Sequence, residues 1–152
     1  MSSYTSSDFV SSAAPGTDWR EATKAVLAEL EPATQARSDF NIGFLYISDL
    51  LVDDASAIVG LLSSVLGIEH WVGTVGVGIC ATGKSYIDEP AISAMIGHLN
   101  SEEFKVFQDS QNAPDAALGE WVKDHDPMLV LTHGNPISEQ DPAASLKDLE
   151  SR

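Results

Sequence analysis

The sequence predicts an α/β protein of the α+β kind, a mixed β-sheet flanked by helices in a single domain. Three observations carry this. Phe40–Ser48 is apolar at nearly every position, as a strand covered on both faces must be. Asp53–Gly67 then carries apolar residues at helical spacing, and Trp71–Ile79 is a second apolar run. Strand, helix and strand in this order predict a parallel pair joined by a right-handed crossover. At 152 residues the chain is long enough to bury a sizeable core.

Residues 1–17 are rich in Ser and other small side chains and are expected to form a disordered arm. Asp18 can cap a first helix, with Glu21 three positions on completing a capping box. Trp19, Ala22, Val26, Leu27 and Leu30 share one helical face, and Pro32 is expected to end the run. In the second helix Asp53 and Asp54 place negative charge at the positive end of the dipole. Its apolar residues, Ile58, Val59, Leu61, Leu62, Val65 and Leu66, span more than one face and predict a well-buried helix, stopped at Gly67.

Thr82–Pro90 reads as a loop leading to a strand over Ala91–Leu99, antiparallel to Trp71–Ile79. Phe104–Phe107 alternates like a short strand, Pro114–Asp124 like a helix weakened by Gly119, and Met128–Thr132 like another strand ended by Gly134-Asn-Pro136. Pro142–Ser151 can begin a last helix. The domain is expected over residues 18–136, with 137–152 as a tail or the start of that helix.

The net charge of −15 disfavours nucleic acid and anionic membrane surfaces, and opposes polyanionic ligands at long range. The single cysteine, Cys80, allows neither an internal disulfide nor a C-x-x-C metal site. The first 18 residues hold no Lys or Arg and no apolar core, so they do not read as a signal peptide. The longest apolar stretch, Ala57–Ile68, is too short to span a bilayer. A cytoplasmic location is the expectation.

Gly78-Ile-Cys-Ala-Thr-Gly83-Lys84-Ser85 fits the phosphate-binding pattern G-x-x-x-x-G-K-S. That chemistry requires a helix directly after the loop, so that its positive end meets the phosphates. Here Pro90 would break such a helix soon after it began. Cys80 as a nucleophile would need a base and a thiolate-stabilising environment, and His70, His98, His125 and His133 stand in no recognisable motif for it. No histidine pair has helical metal-ligand spacing. Asp88 and Glu89, beside Pro90, read as an exposed turn, and Trp71 and Trp121 as core or interface aromatics. Gly73, Gly76 and Gly78 within one predicted strand admit two readings, close packing of the second helix or a ligand lying over the strand.

The runs Asn41-Ile-Gly-Phe-Leu-Tyr-Ile-Ser48, His70-Trp-Val-Gly-Thr-Val-Gly-Val-Gly-Ile-Cys-Ala-Thr-Gly83 and Glu89-Pro-Ala-Ile-Ser-Ala-Met95 together resemble the N-terminal half of FIST domains. The resemblance spans roughly Trp19 to Pro136. It implies an intracellular sensory module that binds a small ligand, such as an amino-acid-like metabolite, and relays its presence to a signalling partner. Some relatives are haem-binding nitric oxide sensors, so haem is a possible cofactor. No enzymatic mechanism is implied. The family would continue with a further helix–strand unit, so the chain is expected to be a fragment or a truncated homologue, prone to self-association. With the resemblance added, the ligand is placed over Gly78, Cys80, Thr82, Gly83, Lys84 and Ser85. Two other readings stand beside this one: a nucleotide-binding protein built on Gly78–Ser85, and a structural half-domain that binds no ligand.

Overall fold

Pairing of β2, Ile42–Ser48, on both sides organises the fold. The structure, a computed structural model, describes residues 8–107, 116–133 and 147. Among these residues it shows an α+β fold: a four-stranded mixed sheet in the order β1-β6-β2-β3, a separate two-stranded β4-β5 sheet, and the three helices α1, α2 and α3. The chain divides into two units, Met1–Leu99 and Asn100–Arg152.

In the first unit β1 is Phe9–Pro15 and α1 is Trp19–Ala36. A 3-10 turn, Asp49–Asp54, follows β2 and leads into α2, Ala55–Leu66. Then come β3, His70–Gly76, the hairpin strands β4, Gly78–Ala81, and β5, Lys84–Ile87, and last β6, Ala91–Gly97. β2 and β3 are parallel, as the strand–helix–strand pattern predicts. β6 runs antiparallel to both β1 and β2. The antiparallel partner expected for the glycine-rich run is therefore β2's, not β3's.

Strand alternation sorts the two sheet faces. Leu45 and Ile47 of β2 join Ile92, Ala94 and Ile96 of β6 in the main core. That core is closed by Val26, Leu27 and Leu30 of α1 and by Ile58, Leu62 and Leu66 of α2, so both helices cover one face. On the other face the hairpin contributes Ile79 and Tyr86 to a smaller cluster with Ala91, Ala13 and Tyr46.

Several local expectations change. The arm expected over residues 1–17 gives way over Phe9–Pro15 to an edge strand. Ser and Ala have low strand propensity, but seven residue pairs with β6 override it. Asp18 caps α1 by accepting a 2.8 Å bond from the Arg20 amide, while Glu21 turns outward to Lys24. Pro32 lies inside α1 rather than ending it; one more turn follows, with Thr34 donating to the Glu31 carbonyl at 3.0 Å. α2 buries one stripe, Ile58, Leu62 and Leu66, and leaves Val65 exposed, so it is less enclosed than its composition implies. Gly67 ends it in the left-handed conformation, φ 70°.

In the second unit α3 spans Ala116–His125. The Trp121 and His125 rings stack at 4.5 Å, and Nδ1 of His125 lies 2.9 Å from the Trp121 carbonyl. The strands expected over Phe104–Phe107 and Met128–Thr132 do not form: both segments are irregular. A strand needs a hydrogen-bonding neighbour, and neither segment pairs with one among the described residues. The turn at Gly134–Pro136 lies outside the described residues. So does the expected Pro142–Ser151 helix, apart from Lys147, which is helical.

Candidate functional site

The run that matches the phosphate-loop pattern folds as a β-hairpin. β4 and β5 pair in the register Gly78↔Ile87, Ile79↔Tyr86, Cys80↔Ser85 and Ala81↔Lys84. Thr82 and Gly83 are the two turn residues. Gly83 takes φ 72°, the left-handed conformation that such a link demands and that glycine adopts without steric cost. Lys84 and Ser85 begin a strand, so the loop expected over Thr82–Pro90 is correct only at its two ends. No helix N-terminus follows Gly83, and the backbone arrangement that cradles phosphates is not built here. Asp88, φ 56°, turns the chain from β5 back toward β6, in a left-handed conformation that Asp tolerates better than most residues.

Ile79 and Tyr86 are buried against the sheet, and the Tyr86 hydroxyl donates a 3.4 Å bond to the Ala13 carbonyl. At the other end of the hairpin, the buried Ser48 hydroxyl accepts the Ala91 amide at 3.1 Å and ties β2 to the start of β6. The hairpin leaves a cleft on either side. One, of about 290 Å³, lies between β4 and the β2–β3 part of the sheet, bordered by Tyr46, Thr74, Gly76, Gly78, Ile79 and Cys80. The other, of about 460 Å³, lies along β1, with Ser11 and Ala13 at its floor, Ala25 and Glu29 of α1 on one side and Thr82 and Lys84 on the other.

The six expected ligand residues are thus divided. Gly78 and Cys80 border the first cleft, Thr82 and Lys84 the second, while Gly83 shapes the turn and Ser85 is exposed opposite Cys80. Cys80 is exposed. No histidine borders either cleft. His98 instead lies at the end of β6, its Nδ1 2.6 Å from the Asp39 carbonyl; a carbonyl only accepts, so Nδ1 carries the proton. Among the described residues no group of three His, Cys, Asp or Glu side chains could hold a metal ion.

The glycines also separate. A Cβ on Gly73 would fall onto the Leu45 carbonyl of β2, and one on Gly43 would enter the Trp71 ring; close packing requires both glycines. A Cβ on Gly76 would meet nothing closer than the Gly78 carbonyl at 3.5 Å, and one on Gly78 nothing closer than the Tyr86 carbonyl at 3.5 Å. Packing against α2, one of the two readings, accounts for neither. The single glycine strand expected from Trp71 to Ile79 is in fact two strands, broken at the exposed Val77.

Comparison with protein-family models, with curated proteins and with solved structures returns no match. The likeness to FIST domains therefore has no support from these comparisons. No helix among the described residues is long and apolar enough to cross a membrane.

Proposed function

We propose that this chain is a sensory domain that binds a small, amino-acid-like metabolite in the cleft between β4 and the sheet and relays its presence to a signalling partner. The observation that carries the reading is the pair Gly76 and Gly78. Both border the cleft, and neither is required by packing, so bare backbone faces a cavity with space for an added group. The cleft has no charged lining, which favours a compact, net-neutral ligand held by backbone groups and by the Thr74 hydroxyl, whose own bond to the Val75 carbonyl is long at 3.4 Å. Lys84 borders the other cleft, so a nucleotide phosphate in the first would find no cation there.

The relay would act through the hairpin. A small apolar cluster and the Tyr86–Ala13 hydrogen bond anchor it to the sheet, so a ligand wedged under β4 can shift it without disturbing the main core. The test is an amide-shift titration of the full chain with the amino acids, one at a time. The reading predicts saturable shifts at Gly76, Gly78 and Cys80 for at least one of them, weakened in Thr74→Val. No saturable shift at millimolar ligand would end this proposal. A Soret band in natively purified protein would point to haem, and micromolar ATP binding lost in Lys84→Ala would point to a nucleotide.

A further inference from the structure

Among the described residues no strand pairs with the outer edge of β1. The amide of His98 bonds the Asp8 carbonyl at 3.0 Å, and the Gly16 amide bonds the Pro90 carbonyl at 2.9 Å. In antiparallel pairing such bonds fall on alternate residues, so positions 8, 10, 12, 14 and 16 face β6 and positions 9, 11, 13 and 15 turn their backbone groups outward. Pro15 fits this pattern, since its missing N–H costs the sheet nothing on the outward side. Tyr86 satisfies the Ala13 carbonyl, whereas the Ser11 and Ala13 amides point away from β6. Both residues line the larger cleft, about 460 Å³ in volume, together with Ala25 and Glu29 of α1 and Thr82 and Lys84 at the hairpin tip.

Met128-Leu-Val-Leu131 has the opposite properties. It is an apolar run of strand-forming sequence that belongs to no helix or strand, with exposures of 103%, 81%, 55% and 56%. Four successive large apolar side chains this open to water mark a surface that gains from being covered. β1 has small side chains, Ser11, Ser12, Ala13 and Ala14, where an added strand would need room for large ones. A five-residue strand spans about 17 Å, within the length of the seven-residue β1.

We propose that Met128–Thr132 of a second copy of this chain adds to the sheet as a strand beside β1. Exchange in both directions closes a dimer rather than extending a filament. The proposal is independent of any ligand in the other cleft.

The test compares the full chain with the double variant Leu129→Lys, Leu131→Lys, whose side chains are exposed and leave the fold intact. Sedimentation should show a concentration-dependent dimer for the natural chain and a monomer for the variant. Amide exchange supplies the second readout, at the far side of the contact. Ser11 and Ala13 should exchange at least about tenfold more slowly in the concentrated natural chain than in the variant, a factor worth about 1.4 kcal/mol, while the β6 amides stay the same in both. A natural chain that stays monomeric, a variant that still dimerises, or a dimer whose Ser11 and Ala13 amides exchange freely would each overturn the proposal.

Discussion

The indole of Trp71 lies over Gly43, its direct partner across the parallel β2–β3 pair, in the space where a side chain would otherwise stand. The ring is fixed there by a 2.9 Å bond from Nε1 to the Ile68 carbonyl. It packs against the main core from the edge strand, so Gly43 is glycine because Trp71 needs its place. Gly43→Ala should overpack this contact and cost about 1–3 kcal/mol in urea unfolding. Gly60→Ala is the comparison: Gly60 lies on the exposed side of α2 with nothing near its Cβ position, so the change should gain about 0.5–1 kcal/mol. Equal effects at the two sites would refute the role given to the indole.

The second prediction separates the packing glycines from the cleft glycines. Gly73→Ala drives a methyl into the Leu45 carbonyl and should destabilise the β2–β3 pair by at least as much as Gly43→Ala. Gly78→Ala meets only ordinary contacts and should change stability by less than about 0.5 kcal/mol. Thermal unfolding of both variants checks the contrast. If Gly78→Ala unfolds as readily as Gly73→Ala, Gly78 is a packing residue and the ligand cleft loses its main support.

The elements visible in the sequence are those whose burial leaves a periodic trace. β2 is apolar throughout because helices cover one face and the hairpin part of the other; α2 shows its stripe, and Gly67 its stop. β1 left no such trace. Its Ser and Ala residues fit between α1 and the hairpin because they are small, and smallness reads as a loose arm until the β6 partner is known. Phe9 beside the sheet glycine Gly97 was the available signal, since its ring takes the space of the missing Cβ. The hairpin was obscured by the phosphate-loop pattern. Its own sign was Thr82-Gly83 with Ile79 and Tyr86 equally distant on either side. The Met128–Thr132 run shows the converse, since apolar sequence alone does not supply the neighbour a strand needs.

The hairpin turn yields a third prediction. Gly83 has open space around its Cβ position but a φ of 72°, so Gly83→Ala is strained by the backbone alone and should cost about 1–2 kcal/mol of hairpin stability. Amide exchange at Ile79 and Tyr86 should accelerate while exchange in the β2–β6 pair does not. Acceleration throughout the sheet would mean that the hairpin and the main core unfold as one.

Ser48 supports the junction between β2 and β6. Its buried hydroxyl accepts the Ala91 amide, and Ser48→Ala leaves that N–H buried without its acceptor. The expected loss is about 1–3 kcal/mol by chemical denaturation. Ser48→Thr keeps the oxygen and should lose less. A Ser48→Ala variant as stable as the natural chain would show that water replaces the hydroxyl at this junction.

The ion pair between Arg37 and Asp39 makes part of the stability depend on acid. The guanidinium donates to both carboxylate oxygens, Nε at 2.6 Å and Nη2 at 2.7 Å, and lies over the Phe40 ring at 5.0 Å. Its hydrogen bonds hold the Asp39 carboxyl down at about 2, below the ordinary 3.8. The group binds its proton less readily when folded than when unfolded. Its contribution is therefore complete above about pH 4 and lost as the pH falls through about 2. Because the pair is solvated, the effect should be modest and weakened by salt. The measurement is the difference in Tm between the natural chain and Asp39→Asn across this range. It should be constant from neutral pH down to about 5, then shrink toward zero near pH 2. A difference that persists undiminished at pH 2 would show that the charge of the carboxylate is not its source.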